Sequence, residues 1–529
     1  MLGLSLSPLR PQAAPDPLAP FFAKSGGQLV ALAEAGNGGL SVWSELGAGH
    51  AAWMTLDNAD PSTRLSWRET LLAKLRRVYP IGQLTLTGSW NQLQSSGSGL
   101  AASYTGNRGV STGSSAATAE VTVERDKSYD LWVHYTGRTS GGYVRVLIDG
   151  EETLVNEIAD PAALGFKAFS TYAQVDLQRR QVVRVASGLT GAHQISLSYG
   201  GAADPGGAAI LIEAVSISAD LSDPGILPPI WQPGQDYTMG DEVQWKGTFY
   251  STRSTGISGT SAPAHTSGIG SDGSIEWRAD NRPTYPEFVA IDYASEREYA
   301  ARFAVDGVSV EVGGQTHGNE PLSQRSIALD GASWDTSSPT NASGLSVGSE
   351  ITIDENTQWQ MPSGTPVADC ALSRTVVAGE VRHDVAITPL GPTAEVEWFY
   401  AGMLPMVHWD GESASTVVEA VTGGSGKFNL ANYSGQIPPN FDLAGEGRIG
   451  LTATVGTSSM LYGLSVTTET GGLTSGLSGF LRANIDGRLA SGSLDWPAKA
   501  YVSPSAAGPW SFAGGDALSM TRRHVMSVR

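Results

Sequence analysis

Cysteine is almost absent from this sequence, because its 529 residues include only Cys370. A single cysteine excludes an intrachain disulfide and any metal site that needs several thiolates. A chain without disulfides suits a reducing cytoplasm, and the first 17 residues lack the basic start of a secretory signal peptide. We therefore expect the chain to fold in a cytoplasm.

Long hydrophobic runs and positive charge are scarce as well. No stretch approaches the ~18 consecutive apolar residues of a membrane-spanning helix, so the sequence predicts no membrane span. Lys and Arg total 33 against 52 Asp and Glu, which gives a net charge of −19. Nucleic-acid binding needs clustered basic residues that neutralise phosphates, so this function is disfavoured. An uncharged or cationic partner surface fits the acidic chain better.

Glycine and apolar residues are plentiful. The chain holds 65 glycines and is 40% hydrophobic, which is enough for three or four domains to bury their own cores. Short alternating segments between glycine-rich turns are typical of β-sheets. The sequence therefore predicts a mainly β, multidomain chain of jelly-roll or β-sandwich domains, with a small three-stranded module and a short helical N-terminal region.

Residues 1–85 differ from the rest of the chain. Residues 62–78 place apolar side chains at helical spacing, namely Leu65, Leu71, Leu72, Leu75 and Val78. This spacing predicts one amphipathic helix. A proline-rich start followed by a helix suits an attachment region, and it equally suits a helix packed within an ordinary domain.

Residues 86–220 alternate apolar and polar side chains, as in YDLWVHY (129–135) and YVRVLIDG (143–150). This alternation, with a turn signal about every dozen residues, predicts a β-sandwich. The order of these strands, followed by ILIEAVSI at 210–217, resembles galactose-binding-like jelly rolls. The resemblance implies a fold used both by carbohydrate-binding modules and by structural spacers.

A proline-rich linker at 221–230 leads to a small module at 231–283. The module combines Trp231, Tyr237, Tyr250 and Trp277 with the runs GISGTSAP (256–263) and DGSIEW (272–277). It resembles the chitin-binding-like carbohydrate-binding modules of the family 5/12 type, in the version found in phage tail-fibre and spike proteins. Where cellulose- and chitin-binding members carry adjacent exposed aromatics, this chain reads STRS at 251–254. Its rings therefore form either a sugar platform or the core of a spacer.

Flat aromatic rings stack on sugar faces, while nearby polar groups bond to sugar hydroxyls. The candidate carbohydrate-binding rings are Trp231, Tyr237, Tyr250, Trp277, Trp90, Trp334, Trp359 and Trp409, and Tyr143 is a further aromatic of this kind.

Residues 284–529 return to a β pattern, which predicts one large sandwich or two smaller ones. If the chain is an enzyme, this part holds the acids and bases, which are His317, Glu320, His383, Asp384, His408 and Asp410. A polysaccharide-cleaving enzyme needs such a pair flanking the scissile bond. However, His383 and Asp384 are adjacent, so on a strand they would point to opposite faces. We expect no catalytic residue here.

The sequence predicts no cofactor. The alternative is a structural calcium ion, which prefers oxygen-rich loops. The candidate loops for it are DGEE (149–152) and DEN (354–356).

Together these features predict a virion protein, assembled in the host cytoplasm. It would be a fibre, spike or tail-tip protein of a phage or gene-transfer particle that binds bacterial surface polysaccharide for host attachment. Its other partners would be virion proteins, through the N-terminal region, and further copies of the chain, with a trimer as the common arrangement in fibres. Two alternatives stay open: a polysaccharide depolymerase or deacetylase with its active site in the C-terminal sandwich, and a purely structural spike or spacer.

Overall fold

The structure is a computed structural model of the chain. It describes residues 18–23, 27–34, 39–47, 49–57, 62–94, 108–161, 163–174, 178–203, 207, 209–221, 223, 231–239, 241–245, 248–265, 268–280, 288–292, 299–313, 319–334, 345–391, 393–406, 417–422, 426–429, 435–436, 441–442, 448–455, 458–470, 477–483, 498–504 and 509–528. The predicted linker at 221–230 lies largely outside them.

Seven strands and two short 3-10 turns are described between residues 18 and 94. The turns are Ala19–Phe22 and Ile81–Gln83, and the strands are β1 (Leu29–Glu34), β2 (Gly39–Gly47), β3 (His50–Asp57), β4 (Ser66–Lys74), β5 (Arg76–Pro80), β6 (Thr85–Thr87) and β7 (Asn91–Gln94). The described residues contain no α-helix, so the predicted helix at 62–78 is wrong. Leu71 pairs with Trp53 and Leu72 with Ala52 across β3, and this long-range pairing overrides the local helical spacing.

A second group of strands builds the jelly-roll region. These strands are β8 (Arg108–Thr112), β9 (Thr118–Gly137), β10 (Gly142–Ile148), β11 (Ala168–Ser170), β12 (Gln178–Ala202) and β13 (Ile210–Ser218). They form an antiparallel nine-stranded sheet in the order β11-β10-β12-β9-β13-β8-β7, with β5 on β13 and β6 on β9. The inward side chains of β10 are Val144, Val146 and Ile148, all fully buried. The alternation predicted for this region is therefore confirmed.

The small module has more strands than predicted. They are β14 (Asp236–Tyr237), β15 (Glu242–Trp245), β16 (Thr248–Thr252), β17 (Gly256–Ile257), β18 (Gly268–Asp272) and β19 (Ile275–Asp280). The main sheet is four-stranded, β15-β16-β19-β18, beside a β14-β17 ribbon. In the main sheet β18 pairs with β19, and Gly273, with a positive φ of 62°, forms the tight turn between them.

The remaining strands belong to the C-terminal part. They are β20 (Phe288–Asp292), β21 (Ala300–Val305), β22 (Val308–Gly313), β23 (Leu322–Leu329), β24 (Ala332–Ser333), β25 (Leu345–Gly348), β26 (Glu350–Gln360), β27 (Pro366–Val377), β28 (Glu380–Pro389), β29 (Ala394–Tyr400), β30 (Gly402–Met406), β31 (Val417–Thr422), β32 (Gly426–Asn429), β33 (Gly435–Gln436), β34 (Phe441–Asp442), β35 (Ile449–Val455), β36 (Ser458–Thr470), β37 (Leu477–Ala483), β38 (Ala498–Pro504), β39 (Trp510–Phe512) and β40 (Leu518–Val528). They build sheets in the orders β22-β21-β29-β39, β24-β23-β26-β27-β28-β40-β36-β35-β31-β32 and β30-β38-β37-β33, with β34 on β37. The predicted mainly β, sandwich-type fold is confirmed.

The N-terminal strands share a core with the C-terminal part. A six-stranded sheet runs β20-β4-β3-β2-β1-β25, so the N-terminal strands β1 and β4 pair directly with β25 and β20, which follow the small module in the sequence. Leu29 and Trp67 lie in one hydrophobic cluster with Tyr299, Trp359 and Met526. Residues 29–74 are therefore an integral layer of this sandwich.

Candidate functional site

The four predicted rings of the small module form its core. Trp231, Tyr237, Tyr250 and Trp277 are all buried, and they pack together with Val243. The Trp231 Nε1–H donates to Asp272 Oδ2 at 2.9 Å, and the Tyr250 hydroxyl donates to the His265 carbonyl oxygen at 2.8 Å. A ring with no exposed face cannot stack on a sugar, so the platform interpretation of these four rings is corrected to a structural one. Some fifty residues must use large side chains to fill a core.

Truncation of Trp277 should unfold the small module. Trp277 is completely buried and meets Tyr237 edge-on at 5.1 Å between ring centroids. The Trp277→Ala variant should lose about 3–5 kcal/mol of local stability. Hydrogen exchange of the full chain would show faster exchange confined to residues 231–280. Unchanged exchange at these residues in the variant would contradict the structural role of the ring.

The other predicted rings are placed less favourably than expected. Trp334 and Trp359 are buried, and Trp359 stacks on Phe303 at 5.5 Å. Trp90 is half-buried, and its Nε1–H donates to the Thr87 carbonyl oxygen at 2.9 Å. Trp409 lies outside the described residues. None of these three described tryptophans therefore presents a fully exposed ring at the surface.

The described acids and bases of the C-terminal part do not converge on a cleft. His383 is buried and stacked on Trp67 at 5.8 Å, whereas Asp384 points outward and accepts a hydrogen bond from Thr521 Oγ1 at 2.5 Å. The prediction that these neighbours face opposite ways is confirmed. Glu320 is buried in an ion pair with Arg64, at 3.4 Å between Oε2 and Nε. His317, His408 and Asp410 lie outside the described residues.

The pKa of His383 is held well below its ordinary value, first by burial and then by the charges of Arg374, Arg522, His524 and Arg64. Below about pH 6.5 the unfolded chain binds a proton that folded His383 does not, so stability should fall as the pH decreases. The His383→Phe variant keeps a ring against Trp67 and removes this group. Between pH 6.5 and 5 its unfolding free energy should fall less steeply than that of the wild type, by up to about 1.4 kcal/mol per pH unit. Parallel pH profiles from thermal unfolding would contradict this.

The two oxygen-rich runs are occupied by protein contacts. Asp149 accepts hydrogen bonds from the His193 ring at 2.6 Å and from the Gln194 N–H at 2.9 Å, and these two contacts lower its pKa. Residues 354–356 lie inside β26, so the predicted loop there is wrong. No group of three or more His, Cys, Asp or Glu side chains in the described part of the chain is arranged to hold a metal.

An exposed aromatic surface lies instead at the edge of the jelly-roll sheet. In β10 the outward residues Tyr143 and Arg145 alternate with buried valines, and Tyr143 pairs with Ser170 of edge strand β11. Burial continues to alternate beyond β11, so Ser170 and Tyr172 also face outward. Tyr172 is 43% exposed.

A phenylalanine extends this surface over a glycine. A Cβ atom added at Gly200 would lie 2.9 Å from Cε2 of Phe166 and 3.4 Å from Cβ of Tyr143. Only glycine allows Phe166 to lie this close to the strand beside Tyr143. We call Tyr143, Phe166 and Tyr172 with Arg145 and Glu152 the β10–β11 aromatic face.

Charged groups border these rings. The Arg145 guanidinium lies over the Phe166 ring, 5.1 Å from its centroid, and its Nη2–H donates to Glu152 Oε1 at 3.1 Å. The second carboxylate oxygen of Glu152 accepts the Lys167 N–H at 2.9 Å. The Arg145 side chain is 41% exposed. The face therefore combines flat apolar rings with accessible hydrogen-bonding groups, as sugar-binding surfaces require.

Comparisons with known proteins give only distant likenesses. No family model and no curated protein matches the chain. Carbohydrate-binding module CBM36 in complex with calcium and xylotriose is 11% identical, with a TM-score of 0.19 over 27% of this chain and 99% of that one. A family 35 carbohydrate-binding module from Clostridium thermocellum is 13% identical, with a TM-score of 0.20 over 27% and 98%. The GH36 α-galactosidase AgaB from Geobacillus stearothermophilus is 10% identical, with a TM-score of 0.26 over 43% and 29%. Likenesses this weak assign neither an activity nor a site to the chain.

In the part of the chain that the structure describes, no helix is long and apolar enough to cross a membrane.

Proposed function

We propose that the chain binds polysaccharide passively through the β10–β11 aromatic face. The observation that carries the proposal is the exposure of Tyr172 on the same sheet face as Tyr143, beside the accessible Arg145–Glu152 pair. The two tyrosines supply ring faces for C–H stacking, and the charged pair supplies a donor and an acceptor for hydroxyls. The Phe166 ring lies under the Arg145 guanidinium. Stacking and hydrogen bonding at this face bind the polymer without cleaving any of its bonds.

The ligand class that we infer is a neutral or amino-sugar polymer. The chain carries a net charge of −19, which repels uronate- or sulfate-rich chains at low ionic strength.

The proposal is tested by co-sedimentation of the purified chain with insoluble polysaccharides of different charge. We expect retention on neutral or amino-sugar polymers and weak retention on polyuronates, and the retained polymer should keep its length and acetylation. Shortened or deacetylated polymer would instead support the depolymerase or deacetylase. Absence of retention on every polymer would support the structural spacer.

We further propose that the chain works as a fibre, spike or tail-tip protein of a phage or gene-transfer particle, contacting bacterial surface polysaccharide. The phage-type sequence pattern of the small module supports this role. The aromatic rings of that module fill its own core, which suits a spacer between two larger parts of a fibre. Attachment to other virion proteins through the N-terminal region and assembly into a homo-oligomer belong to the same proposal, because tethering strengthens weak sugar contacts. Electron microscopy of particles lacking the protein would test it, since loss of a surface appendage is the expected result.

A further inference from the structure

Three basic residues lie in a row across neighbouring strands of the ten-stranded sheet. Arg374 on β27 is opposite His383 on β28, and His383 is opposite Arg522 on β40. All three are buried, and Arg522 has no exposed surface at all. Opposite residues in an antiparallel sheet have Cα atoms about 4.5–5.5 Å apart. Two guanidinium groups therefore flank one imidazole inside the protein.

This arrangement is costly for positive charge. Burial, with Arg64 as the largest like charge, lowers the pKa of Arg522 to about 9. Burial also lowers the pKa of Arg374 to about 10, although Glu355 partly offsets the effect. Both groups are still protonated at neutral pH, so the interior carries their charge. A buried charge requires a counter-charge and hydrogen-bond partners.

Neither nearby buried carboxylate bonds directly to Arg522, although the charge of Glu320 acts on it at longer range and raises its pKa in part. The two oxygens of Glu320 accept hydrogen bonds from the Tyr299 hydroxyl, Thr357 Oγ1 and the Gly313 N–H, and the group pairs with Arg64. Those of Glu355 accept the Leu65 N–H at 2.9 Å and Arg325 Nε–H at 2.7 Å, and Arg374 lies 3.8 Å away. Both acids are thus committed to other donors.

The guanidinium of Arg522 is left with unused donors. Within the described part of the chain its Nε, Nη1 and Nη2 make no hydrogen bond, although all three are buried. Its guanidinium carbon lies 5.7 Å from the centroid of the Tyr299 ring, a contact that places the charge over a π face but satisfies none of the N–H groups.

We propose that Arg522 binds a small inorganic monoanion of halide size at the inner face of the ten-stranded sheet. The anion accepts the unused N–H donors and balances the charge that Arg374 and Arg522 bring to this row. A monoanion fits better than a sulfate or phosphate, because the site has no exposed surface and dehydrating a divalent ion costs far more. The site is an internal structural site, separate from the β10–β11 aromatic face.

The test is the thermal unfolding of the full chain at constant ionic strength, with chloride replaced stepwise by the larger gluconate. The midpoint of the transition that includes the C-terminal sandwich should rise by roughly 2 °C for each tenfold increase in chloride, once chloride exceeds its dissociation constant. The Arg522→Met variant should lose this dependence. The matched control Arg523→Met removes the neighbouring arginine, which pairs with Glu380 at 2.7 Å on the opposite face, and should keep the dependence.

Equal wild-type midpoints in chloride and gluconate would overturn the proposal, even if Arg522→Met fails to fold. Crystals of the full chain soaked in bromide give a second readout. We expect an anomalous peak within hydrogen-bond distance of the Arg522 guanidinium, and the absence of a peak there would also overturn the proposal.

Discussion

Replacing Glu355 by glutamine should cost the sandwich about 3–5 kcal/mol, because it removes the counter-charge of buried Arg374 and of partly buried Arg325. Arg325 Nε lies 2.7 Å and Arg374 Nη1 3.8 Å from the carboxylate oxygens. The same carboxylate accepts the Leu65 N–H at 2.9 Å. The effect should therefore reach the N-terminal segment as well as the sheet.

The geometry of this cluster explains why the effect should spread. Arg374 donates to the Leu65 carbonyl oxygen at 3.0 Å, and Arg325 donates to the Thr63 carbonyl oxygen at 2.7 Å. Glu355 thus orients both arginines that hold residues 63–65 against the ten-stranded sheet. Loss of its charge should loosen this segment first.

Calorimetry of Glu355→Gln, with hydrogen exchange at the Leu65 amide, measures both effects. The control is Asp354→Asn, one residue away on the solvent face, where the carboxylate accepts a hydrogen bond from Ser373 Oγ at 2.6 Å. We expect that control to change stability by about 0.5 kcal/mol or less. Equal losses in the two variants would show that the buried cluster does not stabilise the sandwich.

The second large effect concerns polysaccharide affinity. Each of the Tyr143→Ala and Tyr172→Ala variants should weaken binding about tenfold, since an exposed stacking ring at the centre of a contact contributes ~1–2 kcal/mol. The double variant should show no measurable retention. Thermal unfolding should change little for Tyr172→Ala, because this ring is 43% exposed.

Ile269→Ala is the matched control for these variants. Ile269 is 52% exposed on strand β18 of the small module, so the change removes exposed apolar surface away from the proposed face. Its affinity should equal that of the wild type. Full affinity in the double tyrosine variant, or a tenfold loss in Ile269→Ala, would move the binding site away from the β10–β11 aromatic face.

Local sequence pattern was sufficient for much of the fold. Strict alternation in β10 and the separation of His383 from Asp384 follow from the two-residue repeat of a strand, which is a property of the local chain. The helix expected at 62–78 failed because its leucines pair with β3, and β4 also pairs with β20, more than 200 residues away. Single-sequence periodicity carries no information about such partners.

The candidate site was harder to predict. Residue type suggested the tryptophans as sugar platforms, but burial of Trp231, Trp277 and Trp359 is decided by packing. Tyr143 was among the candidate aromatics, and the structure places it on the outward side of an alternating strand. Tyr172 and Phe166 were missed because they flank the three-residue strand β11, whose pairing brings them to the same face. A glycine within a strand, at Gly200, is the sequence signal that could have indicated a close aromatic contact.

The most direct measurement of passive sugar binding is hydrogen exchange of the full chain with and without a retained oligosaccharide. We predict slower exchange at residues 142–148 and 166–172, and unchanged oligosaccharide after the incubation. Protection confined to residues 231–280, or cleaved or deacetylated oligosaccharide, would contradict the assignment of binding to the β10–β11 aromatic face.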